Sequence, residues 1–181
     1  ARQLPAFRRR LLAWFRHNKR DLPWRHQRNP YRVWLSGIML QQTRVATAIP
    51  YYLRFLRMFP TLQHLARARE ASVLGAWAGL GYYSRARNLH RAAREIVALL
   101  GGNFPRQHDA ALRLPGIGRY TAAAILSITF QEPLAVLDGN VARVLARLEA
   151  LRGDIRRPKL WRKLDDATGA LFLVAVHGFV G

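Results

Sequence analysis

The chain has 181 residues, half of them hydrophobic, which is enough to bury one sizeable core in a single domain over 1–181. Its formal net charge is +20, from 30 lysines and arginines against 10 acidic residues, and this favours a polyanionic partner such as nucleic acid. Cysteine is absent, so disulfides, thiolate catalysis and cysteine-ligated metal sites are excluded within these residues.

The termini and the hydropathy pattern bear on location. No apolar run approaches the ~20 residues of a membrane span, and the N-terminus lacks the apolar core of a secretory signal. We therefore expect no membrane partner and a cytoplasmic location, with the chromosomal DNA of a bacterial cell. The chain begins without an initiator methionine and ends in an apolar run at 171–181, so we expect a fragment of a longer protein.

Apolar residues recur at helical spacing along most of the chain, and no segment shows the alternation of a strand. The spacing predicts a first helix that ends near Asn18, followed by an extended loop over 22–30 because its prolines disfavour helix. Further helices are predicted from Tyr31 to about residue 40 and over 45–59, 61–66, 71–77 and 84–100. The fold class is all-α.

A sharp turn between two predicted helices stands at Leu114-Pro115-Gly116-Ile117-Gly118. Proline ends the first helix, and both Gly116 and Gly118 can take positive φ, so that another backbone can come close. The amides at the start of the next helix point outward as an anion site. The pattern over about 109–128 is a helix-hairpin-helix signature, which suits a DNA phosphate.

Asp138 is the second candidate for chemistry. It precedes Val141, Val144, Leu145 and Leu148, whose spacing marks an amphipathic helix opening at or near Asp138. An isolated aspartate in this place is ordinarily an N-cap. However, a phosphate-binding hairpin followed at this distance by a lone carboxylate resembles the HhH-GPD superfamily of base-excision DNA glycosylases.

Three further segments carry side chains that could meet a nucleic acid. Trp24 and Arg25 could stack on and hydrogen-bond a base, although a tryptophan in a small domain is more often a core residue. Gln41 and Gln42 could read base edges or simply be solvated. Tyr82 follows two glycines and could wedge into a duplex unless it is a core residue, while the arginines after it could hold the DNA backbone: Arg85, Arg87, Arg91 and Arg94.

Six ordered motifs between about residues 7 and 168 make the resemblance closer. They are Leu22-Pro23-Trp24, Trp34-Leu35-Ser36, Met39-Leu40-Gln41-Gln42-Thr43, Gly79-Leu80-Gly81-Tyr82-Tyr83, Leu114-Pro115-Gly116 and Leu137-Asp138-Gly139-Asn140-Val141. Together they look like MutY-type adenine DNA glycosylases. The resemblance implies an all-helical HhH-GPD core of two lobes with DNA in the cleft. It also implies hydrolysis of the N-glycosidic bond of an adenine mispaired with 8-oxoguanine or guanine.

The resemblance also implies residue roles. Asp138 stabilises the oxocarbenium-like sugar, Asn140 supports the site, and Tyr120 occupies the catalytic pocket. Gln42 and Tyr82 probe or wedge the duplex beside the lesion, while Trp24 and Arg25 approach the flipped adenine. The remaining predicted DNA contacts are Gln41, Gly116, Gly118 and Arg119, with a monovalent cation at the carbonyls of Leu112, Leu114 and Ile117, as in related hairpins.

Two departures from the family pattern stand out. The family has a glutamate as general acid before its Met-Leu-Gln-Gln motif, and this chain has Gly37 there, with no acidic residue between Asp21 and Glu70. We therefore expect impaired excision. The family's four-cysteine iron-sulfur loop and its C-terminal domain are also absent, so no cofactor is expected within the chain.

Other readings of the pattern remain open. An endonuclease III-like enzyme with lyase activity needs a lysine nucleophile where this chain has Tyr120. A thymine mismatch glycosylase is an alternative because details of the pocket decide the base. A DNA-binding module that recognises mispairs without cleaving them is favoured by Gly37 and opposed by Asp138. For the adenine glycosylase we expect a monomer bound to double-stranded DNA that contains a mispair.

Overall fold

The computed structural model describes residues 4–172, with the side chains of residues 5–169. Within this range the structure is helical without a β-strand, as the sequence predicts. The elements are α1 Leu4–Asn18, a 3₁₀ turn Pro23–Arg25, α2 Pro30–Leu40, α3 Val45–Met58, α4 Leu62–Arg67, α5 Glu70–Trp77, α6 Ser84–Leu99, α7 His108–Leu112, α8 Arg119–Phe130, α9 Gly139–Leu148 and α10 Pro158–Phe172. No described helix is long and apolar enough to cross a membrane. The predicted apolar tail at 171–181 falls outside the described side chains.

Helix boundaries follow local chemistry. The Asn29 side chain accepts a hydrogen bond from the Arg32 amide at 3.2 Å, and Thr61 caps α4 in the same way through the His64 amide at 3.3 Å. The predicted extended loop is confirmed at Leu22 but wrong at Pro23–Arg25, which form a 3₁₀ turn in which the Arg25 amide donates to the Leu22 carbonyl at 2.9 Å. The fixed φ of Pro23 suits the first position of a helical turn as well as an extended segment.

Contacts divide the chain into two compact units. One contains residues 21–125, and the other, here the terminal unit, contains the described residues up to 20 and from 126 onward. In the 21–125 unit α6 packs on α4 and α5, and α2 packs on α3. Its largest fully buried side chains are Trp34, Leu35, Met39, Tyr52, Phe55, Leu65, Trp77, Leu89, Ile96 and Ile125. The prediction of a single domain over 1–181 stays a prediction.

In the terminal unit α9 packs on α10. The buried cluster there is Leu137, Ala142, Leu145, Ala146 and Leu164, with Val141, Leu151, Ile155 and Trp161 partly buried against it. Because Leu137 is buried immediately before α9, the start of that helix is fixed by packing. This anchors the backbone that carries Asp138.

Candidate active site

The hairpin between α7 and α8 contains a tight turn over 114–117. The Ile117 amide donates to the Leu114 carbonyl at 3.1 Å, and Gly116 has φ +75°, which is the arrangement of a type II turn with proline second and glycine third. A Cβ added at Gly116 would lie 2.8 Å from the Asn88 Cβ. The fold itself therefore requires glycine at this position.

Gly118 differs from Gly116. Of the two glycines that can take positive φ, only Gly116 does so, and the φ of Gly118 lies outside that region. A Cβ added there would meet no described atom within 4 Å, and the residue is exposed beside Arg119, which is also exposed. The Ala122 amide donates to the Gly118 carbonyl at 2.9 Å, so α8 opens at this exposed tip. Open space over a helix N-terminus is what a phosphate would need.

The three carbonyls predicted to hold a cation lie around the same turn. Leu112 is the last residue of α7, and Leu114 and Ile117 are the first and last residues of the turn. The Leu114 carbonyl accepts the turn hydrogen bond from Ile117, and a carbonyl oxygen has a second lone pair. The Leu114 carbonyl oxygen can therefore also coordinate a cation.

Asp138 is the N-cap of α9. Its Oδ1 accepts the amide protons of Asn140 at 2.9 Å and Val141 at 2.7 Å. Its Oδ2 accepts the side-chain amide of Asn140 at 3.3 Å and, among the residues that the structure describes, makes no hydrogen bond to the amides of the helix. The carboxylate is thus held to the helix amides through Oδ1, while Oδ2 is bonded to the Asn140 side chain.

Asn140 is itself oriented by a neighbour. Arg143 lies one turn further along α9, and its guanidinium donates to Asn140 Oδ1. Arg143, Asn140 and Asp138 therefore form a short hydrogen-bonded series on the exposed side of the helix start. Sequence reasoning missed Arg143, although its position three residues after Asn140 on a helix is the signal that could have found it.

Gly37 and Tyr120 are both exposed in the 21–125 unit. Gly37 is an exposed position of α2 between buried Ser36 and Ile38, and a Cβ added there would meet no described atom within 4 Å. Tyr120 is the second residue of α8, and its side chain is half exposed. A Cβ at position 37 would therefore fit without a clash.

Gln42 and Tyr82 share an uncommon backbone. Their φ values are +57° and +48°, in the left-handed region that non-glycine residues rarely adopt, and Tyr82 is 62% exposed. Tyr83 is 41% exposed, so neither tyrosine of the pair is a core residue. Such backbone outliers gather at functional sites because the surrounding structure must hold them.

Arg85 does not lie outward with the arginines that follow it. It is half-buried, and its guanidinium donates to main-chain carbonyls of α2 and of the segment before Tyr82. Burial lowers the pKa of this guanidinium from its ordinary value. The guanidinium donors are thus directed to main-chain carbonyls of the protein, and DNA contact by Arg85 stays a prediction.

Trp24 is a core residue. It is 9% exposed, and its ring meets the Tyr52 ring edge-on with 5.3 Å between centroids. Burial also raises the pKa of the Tyr52 hydroxyl to about 12. Arg25, in contrast, is exposed at the end of the 3₁₀ turn. The arrangement leaves Arg25 better placed than Trp24 to meet a base.

The chain does not fit an iron-sulfur cluster. It has no cysteine, and the described residues contain no group of three or more histidine, aspartate or glutamate side chains that could hold a metal ion. Cluster ligation needs thiolates or, less often, histidines.

Comparison with known proteins shows the family. Residues 35–168 match the HhH-GPD superfamily base excision DNA repair protein. The adenine DNA glycosylase of Rattus norvegicus is 51% identical over 158 residues, covering 82% of this chain and 31% of the relative. That of Buchnera aphidicola is 41% identical over 165 residues, covering 90% of this chain and 47% of the relative. The chain thus spans about a third to a half of the length of these relatives.

Solved structures with a similar fold include two DNA repair enzymes. A thermostable thymine-DNA glycosylase has a TM-score of 0.84 at 25% identity, over 99% of this chain and 83% of its own. An endonuclease III trapped on DNA has a TM-score of 0.76 at 20% identity, over 99% of this chain and 84% of its own. At this identity the match shows only that the fold is shared. From its all-helical fold, its hairpin and the match over residues 35–168, the chain belongs to the HhH-GPD superfamily of base excision DNA repair proteins.

Proposed function

We propose that this chain is the catalytic core of a monofunctional DNA glycosylase that hydrolyses the N-glycosidic bond of adenine mispaired with 8-oxoguanine or guanine. The observation that carries the proposal is the Asp138 carboxylate, which two main-chain amides fix through Oδ1 at the start of α9 while Oδ2 is bonded to the Asn140 side chain. The identity of 40–51% to several adenine DNA glycosylases supports adenine as the base.

The chemistry follows from charge. As the glycosidic bond lengthens, the sugar becomes oxocarbenium-like, and a carboxylate beside it lowers the energy of that state. A carboxylate already held by two amide hydrogen bonds does not have to reorganise when the charge develops. Asn140, held by Arg143, keeps Oδ2 in place from the other side.

The leaving adenine needs a proton, and position 37 supplies none because glycine has no side chain. Removing a general acid slows a reaction by about 10²- to 10⁴-fold. Flipping of the base and recognition of the mispair depend on other residues. We therefore expect this chain to bind the mispaired duplex and to excise adenine slowly.

DNA binding is assigned to the exposed tip of the hairpin and to the two strained segments. Gly118 and Arg119 at the start of α8 would receive a phosphate, with the carbonyls of Leu112, Leu114 and Ile117 holding a monovalent cation. Gln42 and Tyr82 would probe the duplex beside the lesion, with Gln41 next to them, Tyr120 in the catalytic pocket and Arg25 near the flipped base. The protein would act as a monomer on chromosomal DNA, which in a bacterial cell lies in the cytoplasm.

Thymine is the second candidate base, because the thymine-DNA glycosylase has the higher TM-score of the structures compared. A lyase reaction is disfavoured, since Tyr120 has no amine with which to form a Schiff base. A non-cleaving mispair-binding module is the reading that Gly37 favours.

One assay separates these functions. The chain and its Gly37→Glu variant are incubated in excess with duplexes carrying A:8-oxoguanine, A:G, T:G or no mispair, and abasic sites are revealed by alkali. Adenine release from the first two duplexes supports the proposal. Thymine release from T:G would reassign the base, trapping of a covalent complex by borohydride would indicate a lyase, and mispair-selective binding without release by either protein would indicate a binding module.

A further inference from the structure

Two segments of the 21–125 unit present exposed side chains from a strained backbone. Gln42 follows the end of α2 with φ +57°, and Tyr82 precedes α6 with φ +48°. A non-glycine residue keeps a left-handed backbone only when neighbouring contacts hold it there. What holds these two segments therefore decides how their side chains are presented.

A single guanidinium contacts the backbone of both segments. Arg85 Nη1 donates to the carbonyls of Ile38 at 2.9 Å and Met39 at 3.3 Å, and also to that of Gln41, the residue directly before Gln42. Its Nη2 donates to the carbonyls of Leu80 and Gly81, each at 3.3 Å, directly before Tyr82. Arg85 thus joins two segments that are about forty residues apart in the sequence.

The chemistry of arginine suits this place. The last carbonyls of α2 have no partner within the helix, and a positive charge at a helix C-terminus is favourable. The planar guanidinium presents several donors in a fixed fork, so it can reach two segments at once, which a lysine ammonium cannot do in the same geometry. Its carbon also lies 5.5 Å from the centroid of the Tyr82 ring and 5.6 Å from that of Trp77, within cation-π range.

Trp77 adds a second hold on the same segment. Its Nε1 donates to the Gly81 carbonyl at 3.1 Å, while its ring is fully buried. Tyr82 is therefore attached to a rigid support on one side and to the end of α2 on the other. The backbones that carry the two exposed side chains thus share one guanidinium as a hydrogen-bond donor.

We propose that Arg85 is a positioning residue that joins the Gln42 and Tyr82 segments into one duplex-reading unit, and that it does not itself contact DNA. The claim that Arg85 joins the two segments rests on the hydrogen bonds alone. Its consequence for mispair recognition rests on the proposed function. Recognition should then depend on Arg85 only through Gln42 and Tyr82.

The first experiment tests without DNA whether Arg85 joins the two segments. It compares amide hydrogen-exchange rates in Arg85→Lys with those in a matched control variant. Arg54→Lys is that control, because the Arg54 guanidinium donates to the Ala76 carbonyl at 2.8 Å and lies 4.7 Å from the centroid of the Tyr51 ring, both outside the two segments. We expect Arg85→Lys to raise exchange by about tenfold in peptides covering 38–44 and 78–84 together, and Arg54→Lys to leave both unchanged. Faster exchange in only one segment, or in neither, would overturn the joining.

A second measurement keeps the proposal testable if Arg85→Lys does not fold. Nitrogen-15 exchange spectroscopy on the unmodified protein reads rotation of the Arg85 guanidinium about its Nε–Cζ bond. We expect rotation slower than that of exposed arginines such as Arg57. Rotation as fast as theirs would show that the five hydrogen bonds are not maintained, and would overturn the proposal.

The consequence for recognition is tested by binding to A:8-oxoguanine and matched duplexes. Arg85→Lys should reduce the preference for the mispair by about tenfold and change affinity for the matched duplex little. In a Gln42→Ala, Tyr82→Ala background the same change should have no further effect. A full additional loss there would mean that Arg85 contacts DNA directly. If the unmodified protein shows no mispair preference, the proposed function fails, and the exchange result still decides whether the segments are joined.

Discussion

Gly37→Glu should raise the rate of adenine excision by about 10²- to 10⁴-fold, the usual contribution of a general acid. At ~1.36 kcal/mol per tenfold, this corresponds to ~2.7–5.4 kcal/mol of activation free energy. The structure permits the change, because a Cβ at position 37 meets no described atom within 4 Å and the residue is exposed on α2. Replacing a glycine inside a helix should also stabilise the fold, by up to ~1 kcal/mol.

Single-turnover excision from an A:8-oxoguanine duplex measures this rate, and Gly37→Gln is the matched control. Glutamine has nearly the same shape as glutamate but cannot act as a titrating acid, so it should leave the rate close to that of the unmodified chain. Because only the protonated carboxyl donates, the gain should shrink as the pH rises through the pKa of the new group. Equal rates for the glutamate and glutamine variants would refute the assignment of position 37, as would robust excision by the unmodified chain.

Three other predictions follow from the charge, the hairpin and the core. Duplex affinity should fall steeply as salt rises, because a chain of net charge +20 displaces counterions from DNA, and a flat salt titration would contradict DNA binding. Gly118→Asp should weaken binding to all duplexes alike and change the free energy of unfolding little. Gly116→Ala should instead lower the free energy of unfolding by ~1 kcal/mol or more, because Gly116 has a φ of +75°. Chemical denaturation and binding titrations distinguish these two effects. Tyr31→Phe should lower the free energy of unfolding by ~1 kcal/mol, since the Tyr31 hydroxyl donates to the Phe59 carbonyl at 2.8 Å. Tyr52→Phe should leave it unchanged, because the buried Tyr52 hydroxyl has no hydrogen-bond partner among the described residues. Equal losses for the two variants in chemical denaturation would contradict this.

Local chemistry made much of the fold predictable. Helix starts follow caps that can be read directly, such as Asn29 before Pro30 and Asp138 before α9. The hairpin follows from a proline and a glycine in the second and third places of a turn. Each of these depends on residues within a few positions of one another, so a sequence pattern contains the whole cause.

Contacts between distant residues were not predictable in the same way. Arg85 looks like one arginine in a basic helix face, and only the fold shows that its partners are carbonyls more than forty residues earlier. Gly118 resembles Gly116 in the sequence, but only Gly116 meets Asn88 and takes positive φ. Trp24 could have been either a base-stacking or a core residue, and the Tyr52 ring decides for the core. In each case the deciding partner comes from another helix.

Asp138→Asn in the Gly37→Glu background tests most directly the claim that Asp138 steadies the charged sugar. Asparagine is as good an N-cap as aspartate, so α9 should stay folded and binding to the A:8-oxoguanine duplex should persist. The substituted side chain lacks the negative charge that the transition state needs, so single-turnover excision should fall back by at least the ~10²-fold that Gly37→Glu is expected to supply. Excision that continues at the rate of the Gly37→Glu parent, in a folded protein that still binds the mispair, would contradict the account.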